Sequence, residues 1–163
     1  MVFSSFGSKV TLAEFFPNLL SIADDDLVEP LQKSLEKEFE NIYLSTEITS
    51  LIPQNDTSVI AEFKKNEKVF RDTFDNILLC IGRKPNTSNL NIEKTGIKLD
   101  SSGFIPVNSQ RRTLIPNIYA IGDITGNPML AHKATYEAKI AAESIIGQSS
   151  IYDPTAIPSV IFL

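Results

Sequence analysis

Apolar and polar positions alternate along this chain in blocks that predict strands and helices in turn. Ser8 to Phe16 is β-branched and apolar between Gly7 and Pro17, so a strand is expected there with Val10 and Leu12 inward. Leu27, Val28, Leu31, Leu35 and Phe39 recur at helical spacing, with Lys33, Glu36 and Lys37 outside, which predicts a helix from about Asp25 to Glu40. Asp24-Asp25-Asp26 suits its N-terminus by capping and by the macrodipole. Pro30 falls near the first turn, where its missing N–H costs least. Ile42 to Ile52 reads as a strand and Asn55-Asp56 as a turn. Val59 to Phe63 is expected to pair with Lys68 to Asp72 as a hairpin.

Two short apolar runs follow, Asn76 to Ile81 ending at Gly82, and Asn117 to Ile121 ending at Gly122-Asp123. Both fit strands buried on two faces, as in a parallel sheet, and Cys80 within the first is expected to be an inert buried residue. Asp100-Ser101-Ser102-Gly103 predicts a turn into Phe104-Ile105-Pro106-Val107. Leu130 to Ile146 is Ala-rich and helical, with Leu130, Ala134, Ala141, Ile145 and Ile146 as its apolar positions and Gly147 as its stop. Helix after strand, a hairpin and buried strands together predict an α/β layer structure. The ends suggest more. Val2, Phe3 and Phe6 share a helical face before Gly7, as in the last turns of a helix, and Pro158 to Leu163 reads as a strand just starting. The pattern predicts a segment of a longer protein.

Composition narrows the chemistry. Fifteen Lys and Arg against twenty Asp and Glu give a net charge of −5 without a basic stripe, which argues against nucleic-acid binding. No apolar run reaches the ~18 residues of a membrane span. One Cys and one His allow neither an internal disulfide nor a Cys/His zinc site. No G-x-S-x-G and no G-x-G stands among the seven glycines.

Three places could bear function. Glu14 ends a strand, where an acid can accept hydrogen bonds from a ribose diol and repel a 2′-phosphate; the alternative is a solvated strand-end acid. Gly82 allows close backbone approach to a ligand, or simply a sharp turn. The most specific signal is Thr113 to Asp123 with Pro128-Met129-Leu130-Ala131-His132 after it. A strand would deliver Gly122-Asp123 to its C-terminal edge, where ligands sit in open α/β sheets, and Asp123 could accept from a sugar-like hydroxyl. A helix beginning near Met129 adds free N–H groups and a positive dipole end. Asp123 alone could equally be a turn acid, and His132 an ordinary helix residue.

The strings T-L-I-P-N-I-Y-A-I-G-D and G-N-P-M-L-A-H-K-A-x-x-E-A resemble the second FAD-binding motif of the pyridine nucleotide–disulfide oxidoreductases, and most of all its dihydrolipoamide dehydrogenase branch. F-G-S-K-V-T-L-A-E-F resembles the second strand of that family's NAD domain, and A-D-D-D-L-V-E-P-L-Q-K-S-L-E-K the helix after it. C-I-G-R-K-P-N-T and G-I-K-L-D-x-x-G-x-I-P-V-N resemble the return from the NAD domain, and I-P-S-V-I-F the first strand of the interface domain. The resemblance implies partial, three-layer Rossmann-like FAD- and NAD-binding domains with a β-hairpin or meander insertion. Residues 1–82 would end the NAD-binding domain, 83–150 would be the returning FAD segment and 151–163 would start the interface domain.

By the same resemblance, Asp123 would bind the FAD ribityl chain. The backbone of Met129, Leu130, Ala131 and His132 would face the flavin pyrimidine edge. Glu14 would hold the adenosine ribose of NAD, Gly82 would lie along NAD, and Ile48 would line the adenine side. Relatives of the glutathione reductase type use a basic residue where Glu14 stands, so NAD is implied over NADP. Ala138 departs from a frequent Gly, and Thr135-Tyr136 from a more acidic pair. The implied activity is oxidation of dihydrolipoamide by NAD+ through FAD and a redox disulfide, in a homodimer that serves lipoyl domains of a 2-oxo acid dehydrogenase complex. It would work in a bacterial cytoplasm or mitochondrial matrix. The redox cysteine pair, both Gly-rich loops and the catalytic His-Glu pair would lie outside this chain. The alternatives are a truncated chain that binds no cofactor alone, or a related disulfide reductase.

Overall fold

The computed structural model describes residues 1–160 and divides the chain into two units, Met1–Cys80 and the residues from Ile81 onward.

In the first unit, a short helix α1 (Val2–Ser5) stops at Gly7, whose φ of +88° lies in the region that favours glycine. Strand β1 (Thr11–Ala13) pairs in parallel with β2 (Asn41–Tyr43), Leu12 opposite Ile42. Parallel neighbours need a crossover, and helix α2 (Asp25–Glu38) supplies it. Most of its expected inward face is observed: Val28, Leu31 and Leu35 are buried with Leu19, and Leu12, Ile42 and Phe39 pack against them, whereas Leu27, expected on that face, is 68% exposed. Asp24 stands at the N-cap but makes no side-chain bond, so the acids act there through the macrodipole. Pro30 lies beyond the first turn, inside the helix, where it removes a backbone hydrogen bond.

The expected strand over 42–52 is broken in two. Ser45 takes a left-handed φ of +51°, its N–H donates to the Phe16 carbonyl, and Thr46 is buried at the corner. Beyond the corner, β3 (Glu47–Asn55), β4 (Ser58–Lys65) and β5 (Lys68–Phe74) form an antiparallel meander in the order β3-β4-β5. Asn66 and Glu67 both have positive φ, as a two-residue hairpin turn requires. Phe63 is 2% exposed, stacked on Phe70 at 5.1 Å and edge-on to Tyr43 at 5.5 Å.

The two expected buried strands, one ending at the boundary between the units and one within the second unit, are absent. Asn76 to Ile81 forms no strand, Leu78 is 71% exposed, and Cys80 is exposed rather than buried. Asn117 to Ile121 keeps only one antiparallel bridge, Arg112 with Tyr119. A ladder requires a neighbour for its N–H and C=O groups; the second run finds only the short segment 111–113, where the Thr113 N–H donates to the Ile118 carbonyl and the Ala120 N–H to the Arg111 carbonyl. The second unit holds a small core of Ile97, Ile105 and Ala120, two 3-10 turns (Ile92–Thr95 and Gly122–Thr125) and helix α3 (Ala131–Ile145). The Asp100 turn forms as expected, its carboxylate accepting the Ser102 and Phe104 N–H groups. Pro158 to Val160 is irregular, and the rest of the strand expected there lies outside the described residues.

Candidate functional site

The Gly122-Asp123 turn and the start of α3 are built against each other. Gly122 has a φ of +78°, and a Cβ on it would come within 3.3 Å of the Ala134 side chain. Only glycine therefore satisfies both the turn and the close approach of the helix. Ile121 before it is extended, with φ −140° and ψ 159°. Asp123 is exposed, and its carboxylate has no partner among the described residues. Leu130 at the N-cap cannot cap with its side chain, so the first N–H groups of α3 are left for a ligand or water. Met129 and Leu130 are half-buried and Ala131 and His132 exposed.

A buried charge cluster fixes this arrangement. Glu137 has no exposed surface and Lys133 is 5% exposed. The Gly122 N–H donates to Glu137 Oε2 at 2.6 Å, and Arg111 Nη1 donates to Glu137 Oε1 at 2.9 Å. Lys133 Nζ donates to the carbonyls of Gly122 (3.1 Å) and Gly126 (2.9 Å) and lies 3.2 Å from Glu137 Oε1. Thr125 Oγ1 donates to the Gly122 carbonyl at 2.8 Å. Arg111 also lies over the Tyr152 ring at 4.3 Å, and burial pushes the Tyr152 hydroxyl up from its ordinary value. Beside this cluster His132, Lys133, Tyr136 and Tyr152 line a concavity of about 350 Å³.

Patterning alone misses Lys133, Glu137 and Arg111. The inward face of α3 is Lys133, Glu137, Ile140, Ala141 and Ser144, rotated from the apolar face that hydrophobicity predicts. The available signal was the spacing: a Lys and a Glu four apart, in phase with Ile140 and Ala141.

The remaining candidates divide between the units. Gly82 is exposed with φ +139°, and its neighbour Arg83 donates through Nη1 to the Met129 carbonyl at 3.1 Å. Glu14 and Ile48 belong to the first unit. Glu14 follows β1 directly: its N–H donates to the Tyr43 carbonyl at 2.8 Å and its carbonyl accepts the Thr46 N–H at 2.9 Å. Its Oε1 accepts the Phe16 N–H at 2.9 Å, which aims the carboxylate and leaves its second oxygen free to accept. Ile48 stands two residues beyond Thr46, near the start of β3, and is 39% exposed.

A family model described as pyridine nucleotide-disulphide oxidoreductase matches residues 1–138. The dihydrolipoyl dehydrogenase of Buchnera aphidicola subsp. Schizaphis graminum is 44% identical over 164 residues, covering 99% of this chain and 34% of the relative. That of Vibrio cholerae is 40% identical over 161 residues, with the same two coverages. The chain thus spans about a third of the length of the curated relatives it matches. Among solved structures, LpdA from Mycobacterium tuberculosis superposes with a TM-score of 0.76 at 26% identity, over 90% of this chain and 31% of that one. The HOCl-induced flavoprotein disulfide reductase RclA from Escherichia coli gives 0.78 at 24% identity, over 92% and 34%, which speaks for the Rossmann-like α/β fold alone. The family's enzymes are oxidoreductases that use FAD and NAD. With several motifs in order and most of its residues matched, the chain belongs to the pyridine nucleotide-disulphide oxidoreductase family.

Proposed function

We propose that this chain is a segment of a flavin-dependent disulfide oxidoreductase that oxidises dihydrolipoamide with NAD+, with the redox cysteine pair and the His-Glu pair outside these 163 residues. The observation that carries the reading is the Gly122 turn: a free carboxylate at Asp123 and the uncapped N-terminus of α3, held together by one glycine-dependent packing. These groups fit a flavin nucleotide, whose ribityl hydroxyls donate and whose pyrimidine edge accepts. FAD, when bound, would store two electrons between the disulfide and the nicotinamide. Asp123 would accept from ribityl hydroxyls, and the N–H groups of Ala131 to Lys133 would favour negative charge at the pyrimidine edge. Glu14 would accept from the ribose of NAD through its free oxygen and disfavour a 2′-phosphate. Ile48 would line the adenine side, and Gly82 would let the backbone lie along NAD.

The division of the chain between residues 80 and 81 supports a domain reading in which 1–82 end the NAD-binding domain and 83–150 are the returning FAD segment. Residues 151–163 would open the interface domain. The partners of that reading are a second copy in a homodimer and the lipoyl domains of a 2-oxo acid dehydrogenase complex. Its place is the cytoplasm, since the relatives named are bacterial. No helix among the described residues is long and apolar enough to cross a membrane.

The test is Asp123→Asn in the intact protein that contains these residues. Bound flavin, read by its visible absorbance, should fall at least about tenfold in affinity, the usual scale for one charge-assisted bond. Full retention of flavin would overturn the reading. A second reading, that the 163-residue chain alone binds no cofactor, is favoured by the exposure of Leu78, Leu79 and Ile81. An absorbance scan of the purified chain separates the two.

A further inference from the structure

We propose that Glu137 and Lys133, joined by Arg111, are positioning residues for the flavin-binding turn. They fix the backbone of Gly122 from both sides, so that the Asp123 carboxylate and the first N–H groups of α3 address the same ligand. The proposal rests on the flavin reading of that turn and deepens it. The N–H of Gly122 ends on Glu137 Oε2 at 2.6 Å, and its carbonyl ends on Lys133 Nζ at 3.1 Å. Both side chains belong to the helix whose N-terminus forms the other half of the site. The peptide planes on either side of Gly122, which set the direction of Asp123, are therefore tied to α3.

Packing alone does not call for this arrangement. Two apolar side chains four apart would also close the helix onto the turn, without the desolvation of three charged groups. Buried charge of this kind gives geometry that apolar contacts lack, because each hydrogen bond has a direction. Further local strain is accepted to complete the cluster. Arg111 reaches Glu137 from a left-handed backbone at φ +62°, unusual for a residue with a side chain. Asn108 braces that loop, its Oδ1 accepting the Gln110 and Arg112 N–H groups. The charged ends of these three side chains bond Gly122, Gly126 and one another rather than the Asp123 carboxylate, so the side chains act through Gly122.

A double-mutant cycle on FAD affinity tests this in the intact flavoprotein. Apo-protein is titrated with FAD and the quench of flavin fluorescence is followed. Glu137→Gln keeps the side-chain volume and removes the charge. It should raise the FAD dissociation constant about tenfold when Asp123 is present and less than about twofold when Asp123 is already Asn, the non-additivity expected of residues acting as one unit. Multiplying, independent losses would overturn the positioning role while leaving the flavin reading intact. An unchanged affinity in Asp123→Asn alone would instead remove the flavin reading. Thr125→Val is the milder partner should Glu137→Gln not fold, since the Thr125 hydroxyl also bonds the Gly122 carbonyl. It should show coupling of the same sign to Asp123→Asn, and its absence there would overturn the role equally.

Discussion

Glu14 and Asp123 are both acids placed just past an extended segment, and the two units hold them by different means. Around Glu14 the backbone suffices. A parallel ladder sets the strand, a crossover helix covers it with Val28, Leu31 and Leu35, and the carboxylate is aimed by a main-chain N–H two residues on. Around Asp123 there is no ladder beyond one bridge, and the turn is held instead by the buried Glu137 and Lys133 with the partly buried Arg111. Where sheet neighbours are present, main-chain hydrogen bonds place the Glu14 carboxylate at no cost in buried charge. Where they are absent, side-chain ions take over that role, and the turn becomes sensitive to single substitutions in the helix behind it.

The largest break in this comparison should come from Glu137→Ala. It strands the buried Lys133 and the partly buried Arg111 without their carboxylate and leaves the Gly122 N–H without its acceptor. Breaking a buried pair costs about 3–5 kcal/mol, and an orphaned buried N–H adds about 1–3 kcal/mol. Denaturant unfolding of the purified protein checks it, and a loss below about 1 kcal/mol would show that the cluster is not what holds the second unit. Phe63→Ala should follow at about 3–5 kcal/mol, because it empties the center of the aromatic cluster formed with Tyr43, Phe70 and Phe74. This change belongs to the first unit, so flavin binding in the folded protein should stay at its parent value. Loss of flavin in Phe63→Ala would mean that the two units are not energetically separate.

Legibility in the sequence followed pairing and packing rather than the division into units. Helix α2, the hairpin and the strand before Glu14 could all be read, because each pairs or packs with segments nearby in the chain. The corner at Ser45 was hidden, since a left-handed serine leaves no mark in an apolar count. Asn76 to Ile81 and Asn117 to Ile121 have the composition of buried strands, but composition does not supply neighbours: the first forms no strand and the second keeps a single bridge. The turn at Gly122-Asp123 and the helix after it were legible from the Gly-Asp step and the Ala-rich run. The charges behind them were not, because a Lys and a Glu on an Ala-rich helix ordinarily face solvent.

The smallest expected effect sharpens the contrast between exposed and buried charge. Glu62 on β4 is joined to Arg71 on β5 by two hydrogen bonds, at 2.6 and 2.9 Å, and also accepts from Thr49 on β3. The Arg71 bond, more than any other cause, holds the Glu62 carboxyl below its ordinary value of 4.5. A carboxyl that titrates lower in the folded hairpin than in the unfolded chain adds stability that is complete above about 4.5. That stability is lost as pH falls through the lowered folded value. Arg71 is 62% exposed, so salt should screen most of the contribution. Glu62→Gln should therefore flatten the acid limb of the stability profile slightly at low salt and leave it unchanged at about 1 M salt, where the screening length is about 3 Å. Glu137→Ala should lose its stability equally in both, because water and ions do not reach a carboxylate with no exposed surface. A Glu137 variant whose loss disappeared at high salt would place its charge at the surface and end the distinction between the two units.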